Sequence, residues 1–79
     1  MIAQKGMLME MDGGHRLIVD DIKEIDDQEY VVFYALDNQR FYIATEYMDE
    51  DKPAYRFLSG VEAKKVAEAI DEIDHASEK

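Results

Sequence analysis

Residues 29–36 read Glu-Tyr-Val-Val-Phe-Tyr-Ala-Leu. At the period of two of a strand, Tyr30, Val32, Tyr34 and Leu36 line one face, and Val31, Phe33 and Ala35 the other. Both faces are apolar. A strand of this kind lies inside a sheet and is covered on both sides. The rest of the chain must therefore supply strand neighbours and two covers.

The neighbours are legible on either side. Residues 6–11 set Met7, Met9 and Met11 opposite Leu8 and Glu10. Asp12-Gly13-Gly14 is a turn, because glycine reaches positive φ at little cost. Residues 15–23 form the returning strand, with Leu17, Val19 and Asp21 on one face and Ile18, Asp20 and Ile22 on the other. Asp26-Asp27-Gln28 turns the chain into the central strand, and Asp37-Asn38-Gln39 turns it out again. Residues 40–48 follow, with Phe41, Ile43, Thr45 and Tyr47 opposite Tyr42, Ala44, Glu46 and Met48. Asp49-Glu50-Asp51-Lys52-Pro53 reads as a loop whose charges and proline break the ladder. Residues 54–58 make a short last strand.

The period then changes. Ala63, Val66, Ala67, Ile70 and Ile73 recur at helical spacing over residues 60–76 and form one apolar stripe. Ser59 and Glu62 have the spacing of a capping box. The expected fold is α+β: an antiparallel meander of about five strands with one C-terminal helix packed on one face. At 79 residues it is a single domain, 1–79.

One helix covers one face only. If it lies on Tyr30 and Val32, then Val31 and Phe33 need another cover. The sheet can curl into a half-barrel, a second copy can pack there, or another protein can.

Charge narrows the partners. Nineteen acids face nine bases, a formal charge of −10. Direct binding of nucleic acid or of an anionic membrane is disfavoured. Such a surface suits solubility alone, or a basic protein partner. There is no cysteine, which fits a reducing cytoplasm, and no apolar run of about 18 residues to span a membrane. The first eleven residues lack the pattern of a signal peptide.

Chemistry-bearing patterns are sparse. His15 and His75 stand alone in sequence, without the spacing of a metal pair. The doubled acids at Asp20-Asp21, Asp26-Asp27 and Asp49-Glu50-Asp51 could hold a divalent cation, but the loop beginning at Asp49 has Ala54 where a calcium loop has glycine and Gly60 where it closes with glutamate, and turns favour Asp for backbone reasons. Gly13-Gly14 precedes no helix, so it is not a phosphate loop. The tyrosines and phenylalanines lack the basic groove that a base-stacking platform needs. No enzyme, cofactor or metal is expected.

The stretch Asp27-Gln28-Glu29-Tyr30-Val31-Val32-Phe33-Tyr34-Ala35-Leu36 resembles the "x-G-K-E-Y-x-V-L-x-P-L" strand of the YrzB-like small acidic domains of Gram-positive bacteria. The order of elements over residues 7–74 is similar too, although the Met-rich start departs from it. The resemblance lends no active-site residues. It implies a small bacterial or phage cytosolic β-sheet protein.

The expected function is a non-enzymatic interaction or regulatory module that binds another protein and forms a homodimer. The candidate contacts are Val31, Phe33, Tyr42 and Met48 on the open sheet face, and the acidic helix end, Asp71, Glu72 and Asp74. The alternative is a phage-type mimic of nucleic acid that occupies the cleft of a DNA- or RNA-binding protein.

Overall fold

A computed structural model describes residues 3–77. Five strands form one antiparallel sheet in sequence order. They are β1 (Leu8–Glu10), β2 (Arg16–Ile25), β3 (Gln28–Ala35), β4 (Phe41–Asp49) and β5 (Lys52–Phe57). A helix, α1 (Gly60–Ser77), follows. The expected meander and C-terminal helix are both present, and the sheet is curled into a half-barrel.

Register puts the side chains in rows. On the concave face Val19 stands beside Phe33 and Tyr42, and Ile22 beside Val31, Ala44 and Phe57. Val19, Val31, Phe33 and Ala44 have no exposed surface. Ala44 is small, so aromatic rings from β3 and β5 meet over it. Phe33 and Tyr55 pack edge to face, centroids 5.4 Å apart, and Phe33 and Phe57 lie 5.7 Å apart. Ala3 and the methionines Met7, Met9 and Met11 complete this core from the β1 side.

Of the three covers considered for Val31 and Phe33, the sheet's own curl is the one realised. A β-bulge contributes to it. Val19 pairs with Phe33 and Asp21 with Val32, so Asp20 is the extra residue in β2. A bulge bends its strand and increases the local twist. It also shifts the phase. Uninterrupted alternation places Asp21 beside Leu17 and Val19; the bulge instead swings Ile22 into the core and moves Asp21 to the convex face. The Asp21 carboxylate accepts a hydrogen bond from the Ile22 N–H at 2.9 Å, which helps hold this turn of the backbone.

The helix lies on the convex face. Ala63, Ala67 and Ile70 of its stripe line an apolar groove with Val32 and Ile43. Two ion pairs tie it down: Arg56 to Glu62 at 3.0 Å near its start and Lys23 to Asp74 at 2.6 Å near its end. The first displaces an expectation, because Glu62 is engaged by Arg56 rather than closing a capping box with Ser59. Gly60, at φ +60, makes the entry turn.

The segment 49–53 is not a loop. Glu50 and Asp51 are the two central residues of a tight hairpin, and Asp49 pairs with Lys52 and Met48 with Pro53. Their φ values are +48 and +66, and those of Asp26 and Asp27 in the β2–β3 hairpin are +50 and +66. Two-residue hairpins require this conformation because its twist matches that of the strands, and it favours Gly or Asn at the second position. An aspartate held there costs free energy that glycine does not. The double variant Asp27→Gly, Asp51→Gly is therefore expected to gain about 1 kcal/mol, a rise in Tm of about 4–8 °C for a domain of this size. Thermal unfolding followed by circular dichroism checks this, and an unchanged or lower Tm refutes it.

Candidate functional site

Two surfaces stand out, and of the expected contacts only Tyr42 lines one of them, the second. Val31 and Phe33 were candidate contacts for a partner, but both are fully buried by the curl and the aromatic rings above them. Of the other candidates, Tyr42 is half-buried, and its hydroxyl accepts from the Asn38 amide at 2.7 Å. Met48 is 63% exposed at the far end of β4. Asp71 and Glu72 are exposed on α1, with Asp71 3.6 Å from His75. Asp74 is drawn onto Lys23, and this contact is the leading cause of a raised Lys23 pKa. Glu78 lies outside the described residues. The structure thus spreads the predicted contacts over several margins.

The first surface is a row across the convex face. Leu8 pairs with Ile18, Ile18 with Tyr34, and Tyr34 with Phe41. The helix crosses the sheet beside this row, over Val32 and Ile43, and leaves its ends open: Leu8 is 57% exposed and Phe41 60%. Tyr34 and Phe41 rings pack 5.0 Å apart. The flanking charges are mixed. Glu10 and Arg16 pair across β1 and β2, and Lys64 lines the groove beside Phe41.

The second is the slot where the half-barrel fails to close. It has a volume of about 910 Å³ and lies between the β1–β2 end, with Met11, His15 and Leu17, and β5, with Pro53, Tyr55 and Phe57. Its walls are mainly apolar. Its acidic lining residues are Glu10 and Asp37; His15 lines it too, and there is no lysine or arginine. His15 Nδ1 and an Asp37 carboxylate oxygen are 2.9 Å apart, both exposed. The Tyr55 hydroxyl donates to Glu46 at 2.9 Å. Burial, and after it the Glu46 carboxylate, pushes the Tyr55 pKa up to about 12, so the phenol stays neutral and keeps donating.

The backbone of β5 is open along this slot. The Leu58 N–H donates to the Ile43 carbonyl, and in an antiparallel ladder hydrogen-bonded pairs alternate with non-bonded ones. Bonded pairs therefore fall at Arg56, Ala54 and Lys52. Pro53, Tyr55 and Phe57 turn their backbone groups outward. This also explains Pro53, whose missing N–H falls where no ladder bond is needed.

Sequence reasoning missed the first surface and found only Tyr42 of the second. The row needs the register of four strands, and the slot needs the curl. The usable local signal was Phe41 and Leu8, apolar residues on faces shared with Tyr34 and Ile18.

Among the described residues no three His, Asp or Glu side chains group as a metal site, and no helix is long and apolar enough to cross a membrane. Comparison of the chain with protein-family models, with curated proteins and with solved structures returns no match.

Proposed function

We propose that the protein is a small, acidic, non-enzymatic interaction module of the cytoplasm that self-associates through the Leu8–Ile18–Tyr34–Phe41 row. The supporting observation is the exposure of both ends of an apolar row spanning four strands. Contiguous apolar surface of this kind marks an interaction site in a folded protein. A second copy is the fitting occupant here for an electrostatic reason. The chain carries −10 overall, so most of its surface repels its own kind. Beside the row, Arg16 and Lys64 offset Glu10, and a two-fold contact lets Glu10 of one copy meet Arg16 of the other.

Phe41→Lys puts a charge at the exposed end of the row without touching the concave core. The wild type is expected to sediment as a dimer at about 100 μM and the variant as a monomer, with the Tm at low protein concentration changed by little. A wild type that stays monomeric at that concentration rejects self-association.

A second reading, a mimic of the phosphate backbone, is favoured by the placement of acids. In the meander the Asp26-Asp27 and Glu50-Asp51 hairpins project from the same end of the sheet. It predicts capture of a nucleic-acid-binding protein that DNA displaces and that is lost between about 50 and 200 mM salt, where such contacts weaken by about 10³–10⁵. Apolar association through the row tolerates that change. The YrzB-like strand pattern is compatible with either reading.

A further inference from the structure

We propose that the open slot takes one extended, basic segment of another protein as a sixth strand, paired to β5 and closing the half-barrel. This rests on the reading of the protein as an interaction module, but uses a different surface from the self-association row.

Three observations converge on that occupant. The first is the edge. Tyr55 and Phe57 each present an unpaired N–H and C=O in the plane of the sheet, two residues apart, which is the spacing at which a strand of a partner bonds. Pro53 offers only its carbonyl, so pairing is confined to the Tyr55–Phe57 end, beside the slot. The second is shape. A strand added to β5 lies between β5 and the β1 side. Alternate side chains then enter the concave face, where Met11, Leu17, Tyr42 and Phe57 form an apolar wall. Tyr42 and Phe57 stand perpendicular, 6.4 Å apart, and offer ring faces to the stem and head of a lysine or arginine. The third is charge. Glu10 and Asp37 line the slot, His15 beside Asp37 is its one basic side chain, and the whole chain is acidic at −10. An acidic segment, including one from a second copy, meets repulsion there. A basic one is attracted and held in register.

The test is a titration of the ¹⁵N-labelled protein with an acetylated, amidated eight-residue peptide of alternating lysine and valine. Binding should perturb the Tyr55 and Phe57 amides first and slow their hydrogen exchange, since each gains a partner. The same peptide N-methylated at alternate residues, on the edge that faces β5, should bind at least about tenfold more weakly, because the edge hydrogen bonds to β5 are lost. A glutamate–valine peptide of the same pattern should not bind. Asp37→Asn should weaken the lysine peptide several-fold and leave the fold unchanged, as the position is exposed.

The proposal is overturned by no binding at millimolar peptide. It is also overturned by equal affinity for the N-methylated or the acidic peptide, or by perturbations that map to Leu8 and Phe41. The Phe41→Lys protein separates the two readings: it should lose self-association and still bind the peptide. A chain that never dimerises but binds the peptide at β5 keeps this inference and discards the row.

Discussion

Phe33→Ala should cost this protein a large part of its stability. Phe33 is the largest fully buried side chain. Its ring contacts those of Tyr55 and Phe57, which approach it across the small Ala44. Removing it deletes the transfer free energy of a benzyl group, leaves a cavity and frees two aromatic partners, for about 3–5 kcal/mol. Natural domains hold about 0.05–0.15 kcal/mol per residue, so a chain of 79 residues has about 4–12 kcal/mol to lose. The urea midpoint should fall accordingly, and the slot wall should lose order with the core. A loss below about 1 kcal/mol would mean that Phe33 is not the centre of the fold.

The second large effect is local. Ile70 is a buried residue of the helix stripe and lines the groove between helix and sheet with Val32 and Ile43. Ile70→Ala should cost about 2–4 kcal/mol. Its signature differs from that of Phe33→Ala. The helix alone is a poor helix: acids crowd its C-terminal half against the dipole, and Glu68 and Glu72 repel at i, i+4. Once unseated it should melt ahead of the sheet. Hydrogen exchange should show α1 amides losing protection while those of β2 to β4 keep theirs, and the Lys23–Asp74 and Arg56–Glu62 pairs are too exposed to prevent it. Uniform loss of protection across sheet and helix would show instead that the two unfold as one unit.

Much of the architecture could be read in the residues. The two apolar faces of residues 29–36 required a central strand, and β3 is central, with two strands on either side. The change of period after Leu58 marked the helix, and the Asp-rich segments marked turns. These features are local: they depend on alternation, on turn chemistry and on a helical stripe, all of which act within a few residues. The errors came where a local rule met a pairing it could not foresee. Pro53 reads as a breaker until the ladder shows that its missing N–H points away from β4. Asp20 reads as one step in an alternation until the bulge makes it the step that is skipped. Glu62 reads as a capping partner until Arg56, on a neighbouring strand, takes its carboxylate.

The site was less legible than the fold, for the same reason. Val31 and Phe33 were correctly placed on the face opposite the helix, but whether that face was open depended on curvature. A bulge in β2 contributes to that curvature, and the rings that cover Phe33 come from β5, distant in sequence and adjacent only through register. By itself the sequence determined one acidic α+β domain, its strand order and its helix, because hydrophobic period and turn residues are properties of short segments. The tertiary structure alone decided which apolar side chains stay exposed, where the sheet stops short of closing and which edge is free, because burial and open backbone groups belong to the packed sheet as a whole.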